Sequence, residues 1–205
     1  MTALESASDL YGTIAARMHN SAGMERSWGF TSTTGNEGTS SVALGTALAL
    51  TSLQSERVLL IDANWLSPSL STDAHATNRP DLDACLRSKA RLPEALLATR
   101  VPTLYLIASR APSESPLGML PALVAEATTQ FRHIVVDLPP ILRATALVMS
   151  WSAALGQVAV VVRRDATRRA ELRRALEAIA PIREPVLIFN GARTSADKGN
   201  GNRLS

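Results

Sequence analysis

The sequence predicts a three-layer α/β domain built around a mainly parallel sheet. Apolar runs bounded by turn residues alternate with stretches of helical periodicity, which is the rhythm of repeated βαβ units. The runs are also continuously apolar, as expected of strands that helices cover on both faces; a strand with one solvated face would alternate. The predicted strands span residues 28–31, 58–62, 104–108, 134–137, 158–162 and 186–189.

Helices are predicted between these strands, because their apolar residues recur on one helical face. Residues 5–19 predict a separate leading helix, and residues 42–53 a helix whose Gly45 and Ala49 would let its backbone approach the sheet closely. Residues 63–80 predict a long loop, and residues 191–205 a polar, mobile tail. Two later helical faces are formed by Leu120, Leu123, Val124, Ala127 and Phe131, and by Leu172, Ala175, Leu176 and Ile179.

The composition indicates one globular domain. Of the 205 residues 46% are hydrophobic, which disfavours a disordered chain, and one cysteine cannot form an internal disulfide. Glu5 and Asp9 stand where a signal peptide would be basic and then apolar, so a cytoplasmic location is expected. We divide the chain into an N-terminal helix and linker (1–27), an α/β domain (28–193) and a mobile tail (194–205). The formal charge of +3 is too small to indicate nucleic-acid binding.

A glycine-containing turn follows the first strand and runs directly into a helix, in the sequence TSTTGNEGTSSVALG. A phosphate-binding loop requires this context, because its backbone N–H groups converge on the phosphates at the positive end of a helix. Gly35, Gly38 and Ser40 occupy suitable positions, but Thr39 stands where such loops place a lysine. The turn alone would be read as an ordinary strand-to-helix connection.

Two further segments point to the same edge of the sheet. Asp62 ends the second predicted strand, two residues before Asn64, and Asp137 ends a later one, followed by Pro139 and Pro140. The carboxyl ends of parallel strands meet at the ligand-binding edge of an open α/β sheet. We therefore expect both carboxylates to lie at neighbouring strand ends and to face the turn at residues 35–40.

These segments, in this order, resemble the bacterial tyrosine kinases of capsule and exopolysaccharide biosynthesis, relatives of the septum-site and plasmid-partition ATPases. The family's loop ends in Gly-Glu-Gly-Lys-Ser/Thr, its second strand in Asp-Ala-Asp-Leu-Arg-x-Pro and its later strand in Asp-x-Pro-Pro. The resemblance covers roughly residues 28–193 and implies a three-layer P-loop NTPase-like α/β fold. The matching segments here are Asn36-Glu37-Gly38-Thr39-Ser40, Asp62-Ala63-Asn64-Trp65-Leu66-Ser67-Pro68, Asp137-Leu138-Pro139-Pro140 and a last strand ending at Asn190, whose counterpart faces the nucleotide base.

The departures from the family pattern fall on charged and reactive groups. Thr39 replaces the loop lysine, Asn64 the second carboxylate and Leu66 the following arginine. The kinases also have an ExxRxxR pattern in the leading helix, used in ring formation, and a tyrosine cluster in the tail. In this chain Asp9, Gly12 and Ala15 stand at the three positions of the ExxRxxR pattern. The tail has no tyrosine cluster, since the only tyrosines of the chain are Tyr11 and Tyr105.

The resemblance and its departures together predict a catalytically degenerate, kinase-like protein with a vestigial nucleotide site and no required cofactor. Weak binding of ATP or ADP with Mg²⁺ remains open, with Arg143 or Arg164 supplying the missing charge. The alternatives are a residual ATPase or tyrosine autokinase with an atypical loop, and a partition-type regulator. The vestigial site consists of Gly35, Glu37, Gly38, Thr39, Ser40, Asp62, Asn64, Asp137 and Asn190.

Six arginines crowd the start of a predicted helix. They are either a solvated face paired locally with Glu171 and Glu177, or a docking face for an acidic partner segment or the anionic inner leaflet. No aromatic residues interleave them, so we expect no nucleic acid to bind. The resemblance implies the cytoplasmic segment of a membrane polysaccharide co-polymerase or export protein as partner, hence a peripheral position at the inner face of the membrane, and a possible homo-oligomer. The arginines are Arg163, Arg164, Arg168, Arg169, Arg173 and Arg174.

The histidines, the cysteine and one tryptophan also bear on function. His19, His75 and His133 follow no metal-ligand spacing, so the sequence indicates no metal site. Cys85 is predicted to be a small core residue. Trp65 either plugs the mouth of the former nucleotide site or packs under the long loop.

Overall fold

The fold is an α/β sandwich around one mainly parallel sheet. The computed structural model describes residues 3–53, 56–73, 79–110, 117–164 and 166–191 of the chain. In these residues seven strands form a sheet in the order β3-β4-β2-β5-β1-β6-β7, in which only the β3–β4 pair is antiparallel. The strands are β1 (Ser27–Ser32), β2 (Val58–Asp62), β3 (Leu96–Ala98), β4 (Leu104–Ile107), β5 (His133–Asp137), β6 (Gln157–Arg163) and β7 (Val186–Asn190).

Helices cover both faces of this sheet, so the predicted three-layer architecture is confirmed. The leading helix α1 and the helix after the loop, α2, pack on one face, where Phe30, Leu60 and Val135 point. Leu59, Ile61 and Val136 point to the opposite face and its helices. The helices are α1 (Ala3–His19), α2 (Thr39–Leu53), α3 (Ser69–Asp73), α4 (Leu82–Leu86), α5 (Leu92–Ala95), α6 (Leu120–Gln130), α7 (Thr145–Ala154) and α8 (Arg169–Ile179), with 3₁₀ turns at Gly23–Arg26 and Leu117–Met119.

Strand order brings the sequence motifs together. β5 lies between β2 and β1, and the register pairs Asp62 directly with Asp137 at the ends of their strands. The Asp-x-Pro-Pro segment then continues along β1, since Leu138 N–H donates to the Phe30 carbonyl at 2.8 Å and the Thr31 hydroxyl donates to the Pro139 carbonyl at 2.6 Å. The expectation that both carboxylates lie at neighbouring strand ends is therefore confirmed.

The structure corrects several local predictions. Short elements were missed: α4, α5 and the edge strand β3, which is three residues long and so has no apolar run of its own. Residues 63–80 are not one long loop, because they contain α3. The helix predicted at 42–53 begins at Thr39, and Gly45 in it serves the close approach of α1, not of the sheet, since the ring of Tyr11 lies where a Cβ on Gly45 would stand.

Two predictions about the chain ends have different outcomes. The leading helix predicted at residues 5–19 is present as α1. The mobile tail at 194–205, and the last residues of the predicted α/β domain, lie outside the described residues. Among the helices that the structure does describe, none is long and apolar enough to cross a membrane.

Candidate functional site

The loop between β1 and α2 has the left-handed backbone of a phosphate-binding turn. Gly35 and Gly38 have φ of 115° and 86°, values that residues with a side chain rarely adopt. Asn36, where the related kinases have glycine, has φ of 67°; asparagine tolerates this conformation better than most residues. The shape of the loop therefore survives the replacement of one glycine.

Glu37 holds this loop from within. Its buried carboxylate accepts hydrogen bonds from the Thr33 hydroxyl at 2.5 Å and from the backbone N–H groups of Thr34 and Gly35 at 3.1 and 2.7 Å. From the other side, the Asn190 side-chain amide donates to the Glu37 carbonyl at 2.9 Å. Glu37 and Asn190 thus fix the loop, and the remaining N–H groups at the start of α2 stay directed outward from the helix end.

Ser40 joins the loop to the sheet. Its hydroxyl donates to Asp137 Oδ2 at 2.5 Å, while Asp137 Oδ1 is buried with no hydrogen-bond partner among the described residues. Burial raises the pKa of Asp137 to about 7, and the nearby Asp62 raises it further, although the Ser40 hydrogen bond works against both. Asp137 is therefore a carboxyl group whose charge the described residues around it do not fully stabilise.

Asp62 is committed to a structural network instead. Its Oδ2 accepts from the Ser71 N–H at 2.8 Å and the Ser71 hydroxyl at 2.6 Å, and its Oδ1 from the Asn64 N–H at 3.2 Å. Ser71 in turn accepts from the Ser109 N–H at 2.8 Å. Burial raises the pKa of Asp62 and these bonds oppose the rise. Both carboxylate oxygens are thus occupied by the chain itself.

A cavity of about 270 Å³ lies over the loop and the start of α2. Hydroxyl, amide and backbone groups dominate its wall, and Arg143 is the one charged residue in the wall as described. Thr39 brings no charge at the position of the lysine. The lining residues are Ser32, Gly35, Asn36, Gly38, Thr39, Ser40, Ser41, Asn64, Leu66, Ser67, Ser69, Pro140 and Arg143.

The predicted site residues therefore divide into two groups. Gly35, Gly38, Thr39, Ser40 and Asn64 line the cavity. The other four stand behind the wall, where they hold the loop or the strand ends: Glu37, Asp62, Asp137 and Asn190.

Other predicted features also find their places. Trp65 packs against the core on the sheet face opposite α1 and α2, and it does not line the cavity. This placement favours ordinary packing over a role in plugging the nucleotide site. Cys85 is buried, as predicted. Sequence reasoning missed Ser71, which donates to Asp62, and Ser109, which donates to Ser71, because single serines in loops and short helices have no distinguishing pattern.

All six arginines of the predicted docking face are exposed. Arg163 ends β6 and its guanidinium donates to the Asn36 carbonyl at 3.3 Å, so this face adjoins the loop. Arg173 pairs with Glu177 at 3.6 Å on the surface of α8. Beside them, α8 and β7 enclose an apolar groove of about 590 Å³ that Leu172, Leu176 and Leu187 line.

Known proteins resemble this chain in sequence and in fold. No protein-family model matches it. The tyrosine-protein kinase YwqD of Bacillus subtilis is 28% identical over 172 residues, which cover 80% of this chain and 72% of YwqD. The VpsO kinase domain superposes with a TM-score of 0.78 at 20% identity, covering 92% of this chain and 95% of that domain. The BceF tyrosine kinase domain superposes with a TM-score of 0.74 at 24% identity, covering 88% and 76%.

These similarities agree with the motifs around the loop. The structures are below 25% identity and establish the fold, while YwqD supplies the relationship in sequence. The resemblance to the bacterial tyrosine kinases is thereby confirmed: the chain has the P-loop NTPase-like fold of their kinase domains and a tyrosine-protein kinase as a relative.

Proposed function

We propose that this chain is a catalytically degenerate, kinase-like protein that acts as a scaffold or regulator in the production and export of an exopolysaccharide or capsule. The single observation behind this proposal is the contrast between loop shape and loop charge. The left-handed positions, the Glu37 bonds and the Ser40–Asp137 bond are all present, while the lysine position holds Thr39. The polysaccharide system is what the resemblance to the kinases implies.

The missing charge is large compared with what the cavity retains. A nucleoside triphosphate carries about four negative charges, and in phosphate-binding loops a lysine normally contacts its phosphates. A charged hydrogen bond of this kind contributes roughly 1.5–3 kcal/mol to the binding free energy. In a desolvated transition state the contribution grows, so loss of the lysine costs orders of magnitude in rate. Outward N–H groups alone support weak binding, not turnover.

The remaining residues fit Mg²⁺ in part. Asp137 Oδ1 is an orphaned buried acceptor, and the Ser40 hydroxyl stands beside the same carboxylate, which is an oxygen set that Mg²⁺ accepts. Ser40 in the cavity wall, with Asp137 directly behind it, would hold the ion, which would supply positive charge toward the phosphates. Asn64, with a buried Oδ1 that lacks a partner, adds a neutral acceptor where the kinases have a carboxylate.

One observation favours the alternative of a residual ATPase or autokinase. Arg143 lines the cavity, and one of its terminal nitrogens lies 4.0 Å from where a Cβ on Gly35 would stand. A guanidinium there can contact a phosphate, although it lacks the compact charge of a lysine. Arg164 does not line the cavity. The alternative thus depends on Arg143 alone.

Calorimetry with ATP, ADP and Mg²⁺ distinguishes these functions. The degenerate site predicts absent or weak binding that is unaffected by Arg143→Gln. Tight binding of Mg²⁺ and ATP that Arg143→Gln weakens at least tenfold would support the residual enzyme. Arg100→Gln, an exposed arginine distant in sequence from the loop, is the control for the loss of one charge.

For the partner we propose an acidic and apolar cytoplasmic segment of a membrane-bound polysaccharide co-polymerase or export protein. The exposed arginines offer charge that speeds and orients docking, and the groove between α8 and β7 offers an apolar surface beside them. Such a partner would keep the chain at the inner face of the membrane.

Co-purification with the cognate membrane protein tests this surface. Arg169→Glu combined with Arg173→Glu is expected to reduce recovery, because both side chains line the groove. Lys89→Glu combined with Arg100→Glu makes the same charge change at exposed positions elsewhere and should leave recovery unchanged. Equal recovery of both double variants would rule out the arginine face as the docking surface. Unchanged polysaccharide output in a strain lacking this protein would rule out the proposed function.

A further inference from the structure

Two histidines and a glutamate meet at the edge of the sheet opposite the loop. His19 is the last residue of α1, Glu56 precedes β2 by two residues, and His133 is the first residue of β5. The two imidazole rings lie 5.7 Å apart, and His133 Nε2 lies 3.7 Å from Glu56 Oε2. One potential ligand atom from each of the three residues lies within 4.8 Å of the other two.

Two potential metal-ligand atoms of this cluster have no hydrogen-bond partner among the described residues. Glu56 Oε2 and His133 Nδ1 are both buried and have no hydrogen-bond partner among the described residues. Arg132 Nε lies 3.2 Å from Glu56 Oε2, close enough to pair by charge but without hydrogen-bond geometry. Buried polar atoms without partners are rare in native proteins, so a bound group that satisfies them is expected.

We propose that His19, Glu56 and His133 form a Zn²⁺ site. Two imidazole nitrogens and one carboxylate oxygen are ligands that Zn²⁺ binds at about 2.0–2.2 Å, with a fourth tetrahedral position left to water. Ligand atoms in that geometry stand roughly 3.4 Å apart, so separations of up to 4.8 Å need to close by up to about 1.4 Å. His19 and Glu56 are only half-buried and have room to do so.

The surrounding charges limit the affinity without preventing it. Burial, and then the charges of His19, Arg132 and Arg26, lower the pKa of His133. The Arg26 and Arg132 guanidinium groups repel a divalent cation, and Glu56 offsets one of them.

Zinc at this position would fasten α1 to the sheet. The three ligands come from α1, from the segment before β2 and from β5, so one ion would join the leading helix to two central strands. The site lies at the amino ends of these strands, whereas the phosphate loop lies at their carboxyl ends. A test of zinc binding is therefore independent of a test of the proposed function.

Zinc calorimetry, supported by the visible absorption of bound Co²⁺, tests the site on the full chain. The wild type should bind one Zn²⁺, and His19→Ala and Glu56→Gln should each weaken binding at least tenfold. His75→Ala removes the one other histidine of the chain and should bind as the wild type does. Hydrogen exchange in α1 should slow on zinc addition in the wild type but not in His19→Ala.

Three results would overturn the proposal: no stoichiometric binding by the wild type, unchanged binding in His19→Ala and Glu56→Gln, or an equal loss in His75→Ala. Circular dichroism checks that each variant is folded. Because His19 is half-buried at the end of a helix, His19→Ala decides the question if Glu56→Gln fails to fold.

Discussion

Replacing Asp137 with asparagine should remove the pH dependence of folding stability that this buried carboxyl group causes. Burial raises the pKa of Asp137 from 3.8 to about 7, so the folded chain holds a proton that the unfolded chain releases in this interval. The contribution of Asp137 to stability is therefore complete below about pH 4, is lost as the pH rises toward 7 and stays lost above it. The shift of about three pH units corresponds to about 4 kcal/mol at most.

Asparagine reproduces the protonated acid in shape and hydrogen bonding. Its carbonyl can accept from the Ser40 hydroxyl at the position of Asp137 Oδ2, and its amide would stand at the orphaned Oδ1. Asp137→Asn should thus match the wild type near pH 4 and be more stable by up to about 4 kcal/mol at pH 8. The lowered pKa of His133 makes stability fall in the acid direction, but it is common to both chains and cancels in their difference.

Urea unfolding at pH 4, 6 and 8, followed by the fluorescence of the buried Trp28 and Trp151, measures this difference. Asp9→Asn removes an exposed carboxylate on α1 and should leave the difference from wild type independent of pH. A pH-independent difference for Asp137→Asn, or one that shrinks as the pH rises, would refute the assignment of Asp137 as a poorly stabilised buried acid.

Two further substitutions test the loop. Gly38→Ala should lower the free energy of unfolding by roughly 1–3 kcal/mol, because the backbone has φ of 86° and the new Cβ would collide with the Asn190 amide. Gly118→Ala, where a Cβ meets nothing within 4 Å, is the control in the same urea assay. Equal losses of stability in the two variants would show that the loop is not held in this shape. Thr39→Lys should raise ATP affinity about tenfold or more in calorimetry by restoring the charge, yet leave turnover at background because Asn64 and Leu66 also depart from the kinase pattern; robust hydrolysis by this single variant would contradict a loss spread over several residues.

Continuous apolar runs made most of the fold predictable. Strands covered on both faces leave few polar interruptions, so β2 was predicted with its observed bounds and the other long strands to within one residue at either end. β3 escaped prediction because a short edge strand is defined by its antiparallel partner β4 and not by its own pattern. Gly45 was assigned to the wrong neighbour, since a small residue indicates close approach but not which element approaches.

The candidate site was predictable where backbone chemistry dictates residue type. Glycine at left-handed positions and carboxylates at strand ends can be read from order and spacing. The Ser71 hydrogen bonds to Asp62 and the meeting of His19 with His133 cannot, because these residues lie on separate elements that only the tertiary fold brings together. The expectation of no metal site rested on spacing along the chain, and the zinc site proposed above, whose ligands come from three elements, has no such spacing.

Catalytic degeneracy is tested most directly by incubating the purified chain with Mg²⁺ and γ-labelled ATP and measuring both phosphate release and label on tyrosine. We predict neither above the level of Ser40→Ala, because Thr39 supplies no charge and both tyrosines are engaged in packing. Tyr11 lies against Gly45, and Tyr105 packs edge-on to Phe131 at 5.6 Å with the Arg57 guanidinium 4.6 Å from its ring. Phosphate release or tyrosine labelling that Ser40→Ala or Asp137→Ala abolishes would show that the loop is a working catalytic site.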